Sequence, residues 1–230
     1  MVAVTEFGRD LRFQTFAVEG SPPSIRFRPL HPLLPSGADP NPGLSLDVCE
    51  STSPCTFPGV ELDEGRLYVL RQPYQSPFGD ESRLIAVDPR RWQLVPSFGK
   101  GGLAPLPGLV DAPVAFAVEP GGRVVVAGAV SLRSFPGGLR VLRFSRDGSA
   151  DADFGGTVHR EARDVLGADQ VVVDDEGRAL VLEAGGASLV RLTPAGRVDP
   201  AFGDGGFVDL ARVDVCGLAP GSLAEACTER

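Results

Sequence analysis

The sequence is poor in lysine: Lys100 is the only one, and arginine supplies the rest of the 22 cationic side chains. Against 30 carboxylates this leaves a net charge of −8. Such a balance argues against nucleic acid or an anionic membrane as partner, because both reward a basic surface. No apolar run approaches the roughly 20 residues that a transmembrane helix needs. The opening MVAVTEFGRD has no basic segment followed by an apolar one, so no secretory leader is read there. Histidine is scarce, with His31 in PLHPLLP and His159 in GTVHRE. No cysteine or carboxylate recurs beside either at ligand spacing from unit to unit, so both are expected to be ordinary surface or strand residues. There is no G-x-S-x-G elbow and no phosphate-binding G-x-x-x-x-G-K-[ST]. These absences leave no catalytic residue, cofactor or metal to assign.

The four cysteines form no C-x-x-C pair. They stand as Cys49 with Cys55 and Cys216 with Cys227. Disulfides are their expected use, which implies an oxidising, extracellular or cell-surface location. Local pairing and a cross-pairing between the two ends of the chain both remain open.

What is abundant is punctuation: 29 glycines and 21 prolines in a chain that is still 43% hydrophobic. Many short elements joined by turns fit this composition, and long helices do not. The chain also repeats itself. AFAVEPGGRVVVAG (115–128) matches GVELDEGRLYVL (59–70) and QVVVDDEGRALVLE (170–183). Each reads as a strand, a tight turn ending in Gly-Arg, and a second strand. The turn glycines Gly65, Gly122 and Gly177 can take the positive φ of a two-residue hairpin. TFAVEGSPPSIRFRPL (15–30) is a looser copy that repeats Phe-Ala-Val-Glu.

A second landmark keeps step. GLRVLRFSRDGSADADFGG (138–156) aligns with ASLVRLTPAGRVDPAFGDGG (187–206) and SRLIAVDPRRWQLVPSFGKGG (82–102). Each is a strand, a turn, and then Phe98-Gly99, Phe154-Gly155 or Phe202-Gly203. The phenylalanines are expected to plug the space between units and the glycines to shape turns. Phe7-Gly8 reads as a further copy, and GLSLDVC (43–49) as the third strand of the first unit. The resulting units are 9–57 (degenerate), 58–105, 112–161 and 168–210, with 211–230 a tail or partial unit. VVVAG (124–128) is apolar at every position, which a strand covered on both faces requires. Four-stranded antiparallel units, repeated and stacked face to face, predict an all-β fold of about four β-propeller blades. They would form a small closed ring or part of a larger one with blades beyond this chain.

EPGGRVVVAG (119–128), RVLRFSRDGSADADFGG (140–156) and LVRLTPAGRVDPAFGDGGF (189–207) together resemble the delta-60 type of bacterial propeller repeat, a relative of NHL repeats. The resemblance covers about 58–210 well and 5–57 poorly. It implies a propeller and leaves function open, because this scaffold hosts binding and catalysis alike. The expected function is a non-enzymatic binding scaffold for a protein or carbohydrate ligand. The rival is an NHL-like enzyme or metal-binding protein with its site on the central axis. The closest approach to a metal motif is Asp147, Asp151 and Asp153 in DGSADAD, whose spacing could serve Ca²⁺. The aligned segments keep only Asp199, so solvated turn residues are the expected reading.

Overall fold

The computed structural model describes the backbone of 2–7, 10–19, 26–29, 46–47, 55–73, 82–91, 93–130, 138–158, 167–184 and 188–210. Side chains are described for 57–72, 82–91, 93–109, 114–129, 138–155, 167–184 and 188–210. Within these residues the fold is all-β and antiparallel, arranged in four separate sheets.

The N-terminal sheet contains β1 (Val2–Phe7), β2 (Asp10–Glu19), β3 (Arg26–Pro29) and β4 (Leu46–Asp47). The second contains β5 (Cys55–Asp63), β6 (Arg66–Pro73), β7 (Arg83–Asp88), β8 (Gln93–Leu94) and β9 (Leu103–Pro105). The third runs in order through β10 (Leu109–Val118), β11 (Val124–Val130), β12 (Leu139–Phe144) and β13 (Gly156–Val158). The fourth does the same through β14 (Ala168–Val173), β15 (Ala179–Glu183), β16 (Ser188–Leu192) and β17 (Phe207–Asp209).

The last three sheets stack face to face. One apolar layer joins the second and third sheets through Tyr68, Leu84, Phe98, Phe116, Val126 and Phe144. Another joins the third and fourth through Val125, Val141, Phe154, Val171, Val181 and Leu192. Because successive residues of a strand point to opposite faces, Val126 serves one layer and Val125 the other. This is why VVVAG shows no alternation: both of its faces are interior.

The turns refine the expected hairpins. A two-residue turn occurs once among the three, at Glu64-Gly65, where both residues take positive φ (42° and 78°). The others are three-residue loops. Glu119 and Arg123 face each other across one, with the Gly122 N–H donating to Glu119 O at 3.0 Å. Asp174 and Arg178 face each other across the second, with the Gly177 N–H on Asp174 O at 2.9 Å. Here the αL glycine closes a bulge rather than a two-residue turn.

The N-terminal sheet departs from the expected pattern. Phe7 is a strand residue paired with Asp10, unlike Phe98, Phe154 and Phe202, which lie in turns, and Gly8 lies outside the described residues. Of the expected third strand (43–49) only Leu46–Asp47 lies within the described residues, and it pairs with Leu11 and Asp10 of β2. The connection before it carries Pro32, Pro35, Pro40 and Pro42, none of which can donate to a ladder.

Candidate functional site

The first strand of the third sheet, β10, lies against the first strands of both neighbouring sheets, β5 and β14. Between them is a cleft of about 340 Å³, bounded by residues 58–61, 114–116 and 168–171. Its one half-buried carboxylate is Glu61. Counting back from the hairpin, Ala117 and Val172 occupy the equivalent place on β10 and β14. Glu61 uses its length to cross the gap, and its Oε2 accepts the backbone N–H of Val118 at 2.7 Å. Burial pushes the Glu61 carboxyl above the ordinary glutamate range, and the Val118 bond opposes that rise without cancelling it.

The Val118 bond also fixes which way the edge of β10 points. Alternate residues of a strand direct their N–H and C=O groups to the same side. Val114 and Phe116 therefore turn theirs away from β11 and into the cleft. Gly59 lets the walls close up: a Cβ there would stand 2.8 Å from the Phe116 ring. On the third wall Asp169 and Gln170 are exposed. The cleft thus offers backbone hydrogen-bonding groups, two carboxylates, an amide and the apolar Phe116, with no cationic side chain among its lining residues.

One device recurs between neighbouring sheets. The landmark glycine of one sheet donates its N–H to a turn carbonyl of the next. Gly99 N–H meets Asp147 O at 2.6 Å, and Gly155 N–H meets Ala195 O at 3.1 Å. The turn passes so close that a Cβ at Gly148 would lie 2.5 Å from Gly99 N. Arg143 reinforces the second latch. Its Nε and Nη2 fork onto Asp151 Oδ2 at 3.0 and 2.7 Å, and its Nη1 reaches Pro194 O in the next sheet at 2.9 Å. The same guanidinium lies 4.2 Å over the Phe154 ring. Arg191 repeats the pattern on Asp199 (2.8 Å) and over Phe202 (4.6 Å). In the second sheet, Ala86 and Val95 stand where Arg143 and Asp151 stand in the third. Their backbone bond (Val95 N to Ala86 O, 2.9 Å) survives without the ion pair.

The acidic turn is accounted for by the same frame. Asp147 Oδ1 accepts the Ser149 N–H and hydroxyl at 2.9 and 2.6 Å, which holds its carboxyl below the usual range. The Arg143 fork does the same for Asp151, whose Oδ1 also caps the Asp153 N–H at 3.1 Å. Among the described residues no three His, Cys, Asp or Glu side chains are placed to hold a metal ion.

Of the structural landmarks, Phe98 and Phe154 are buried plugs, while Phe202 is half-buried. Gly99, Gly155 and Gly203 all take positive φ, as do Gly65, Gly122 and Gly177. His31, His159, Cys49, Cys216 and Cys227 lie outside the described residues, and Cys55 is described in its backbone alone. Sequence reasoning missed the Arg-Asp-Phe module, although Arg143…Asp151 and Arg191…Asp199 recur at identical spacing in the aligned segments. It also missed Glu61, whose signal was a charge at a position that is apolar in both sister strands.

Among the described residues no helix is long and apolar enough to cross a membrane. No protein-family model matches the chain. No curated protein matches it at a significant level.

Proposed function

We propose that the stacked sheets are blades of a β-propeller of the delta-60 type. On this reading the chain is a non-enzymatic binding scaffold, secreted or displayed at the cell surface. Its ligand, a carbohydrate or a protein segment, is held where the first strands meet. The observation that carries the reading is the convergence of β5, β10 and β14 on one cleft, each strand belonging to a different sheet of the same pattern. Blades arranged about an axis bring their first strands together in this way. The repeated latches favour a rigid frame, on which loops and strand edges can be displayed without moving. Reading the four cysteines as disulfides supplies the compartment.

The test is a titration of isotope-labelled protein with a panel of soluble oligosaccharides and a panel of extended peptides. Binding is expected to shift the amide signals of Glu61, Phe116 and Gln170, and to be lost in Gln170→Trp, which fills the cleft from an exposed position. Shifts confined to another surface, or binding undiminished by Gln170→Trp, would overturn the assignment.

A further inference from the structure

The cleft between β5, β10 and β14 has a chemistry that narrows what can enter it. Its space of about 340 Å³ lies at the small end of ligand pockets. One long side chain or one ring fills it, so a larger ligand must lie along the rim and insert a single group. Phe116 is the one aromatic ring among the lining residues, and it is only 6% exposed. The β5 backbone at Gly59 passes against its edge. The ring therefore forms part of a wall and offers a sugar no open face to stack on. Two open features remain. The first is Glu61. Its Oε2 is committed to the Val118 N–H, whereas Oε1 has no hydrogen-bond donor among the described residues and is open to solvent. Half-burial strips this carboxylate of hydration, so a positive group delivered to it gains more than at an open surface. The second is the edge of β10. The N–H and C=O groups of Val114 and Phe116 turn away from β11 and take no backbone partner among the described residues. Residues two apart in a strand stand about 7 Å apart. An extended peptide repeats its own donor and acceptor pair at the same interval, as strand addition requires.

We propose that the cleft takes an extended peptide, which pairs with the edge of β10 and inserts a lysine side chain against Glu61 Oε1. This rests on the reading of the cleft as the binding site and names the ligand's chemistry. Charge complementarity is the first reason: no cationic side chain lines the cleft to neutralise Glu61, and the net charge of −8 draws cations toward the molecule. The single open oxygen is the reason for lysine over arginine. A guanidinium gains its advantage from a fork onto both oxygens of one carboxylate. Val118 already holds Oε2, so that fork has nowhere to close. An ammonium needs one oxygen and turns its other donors to backbone carbonyls or water.

The test titrates isotope-labelled full-length protein with a blocked serine-threonine-lysine-threonine-serine peptide, and with versions carrying norleucine or arginine at the centre. The lysine peptide is expected to shift the amides of Glu61 and Phe116. It should bind at least about tenfold more tightly than the norleucine peptide, the loss expected on removing one charge-assisted bond. The arginine peptide is expected to bind more weakly than the lysine one. Glu61→Gln keeps an acceptor for the Val118 N–H, so the Val118 amide signal should persist while the preference for lysine over norleucine disappears. The comparison of peptides on the unaltered protein answers the question if that variant does not fold. Equal binding of the lysine and norleucine peptides, tighter binding of the arginine one, or a lysine preference that survives in Glu61→Gln would overturn the proposal and leave the cleft a peptide site. An oligosaccharide that shifts Phe116 when no peptide does would also overturn it, with the cleft still the binding site. No shift from any probe, or shifts confined to another surface, would overturn both.

Discussion

At the scale of single residues, the glycines separate into those that permit a conformation and those that permit a contact. Gly65 and Gly155 have nearly the same φ (78° and 79°), so local conformation alone would rank their alanine variants together. Their surroundings differ. Nothing lies within 4 Å of a Cβ at Gly65, whereas one at Gly155 would stand 2.5 Å from the carbonyl oxygen of Val141. Gly65→Ala is therefore expected to cost about 1–2 kcal/mol, the conformational penalty for a side chain in αL. Gly155→Ala adds a backbone clash and puts strain on the latch bond to Ala195. It is expected to cost at least twice as much, read as the shift in urea midpoint at constant m. Equal losses in the two variants would show that the latch yields without cost. The sequence displayed both glycines as landmarks of equal weight. The distinction was hidden because the atom that Gly155 must avoid comes from β12, through a contact that no spacing announces.

At the scale of the element, the third strand and its turn behave as one module, built from an Arg, an Asp eight residues on and a Phe three beyond. Arg143 holds four things at once: both bonds to Asp151, the Pro194 carbonyl and the Phe154 face. The pair is largely shielded, with side-chain exposures of 15% and 27%. It is therefore worth more than a surface ion pair. Lysine has no planar fork and cannot serve these partners together. Arg143→Lys is expected to destabilise by about 1–2 kcal/mol, the scale of lost charge-assisted hydrogen bonds. Arg191→Lys is expected to cost less, because Arg191 makes no crossing bond among the described residues. The pH dependence has a definite sign. Arg143 holds Asp151 below the ordinary aspartate range. The pair's contribution is thus complete above that range and lost as pH falls through the lowered value. The gap between wild type and Arg143→Lys should narrow in acid, as followed by thermal melts. A gap that widens there would contradict the role given to the pair. The sheet-forming segments themselves were legible in the sequence, since apolar runs and the Gly-Arg turns mark them. The turn types were less so, because two- and three-residue loops both call for a glycine with positive φ.

At the scale of the molecule, stacking makes position in the row decide stability. The third sheet is packed on both faces, so opening it requires breaking two apolar layers, and β11 is buried along its described length. Among the described residues the fourth sheet has one layer, and its other face carries partly exposed leucines. Nearest-neighbour coupling of this kind lets an end unit open while the middle stays folded. What the sequence could not reveal was this asymmetry. Leu180, Leu182 and Leu189 look as interior as Val125 and Val141, because a strand's pattern records that a face is apolar and not whether anything lies on it. The N-terminal region resisted reading for another reason: its prolines and long connection removed the landmarks by which the other sheets could be aligned. Native-state hydrogen exchange of the full-length protein measures the consequence directly. Amides of β11 and β12 are expected to exchange slowest, with free energies near that of global unfolding. Those of β15 and β16 are expected to exchange through a smaller opening that responds weakly to denaturant, since it exposes little surface. Val181→Ala weakens the single layer beneath the fourth sheet and should speed exchange there while leaving the β11 amides nearly unchanged. If β11 and β15 instead exchange with one common free energy and slope, the three sheets unfold as a unit, and the layers between them are too strongly coupled for the row to open from its end.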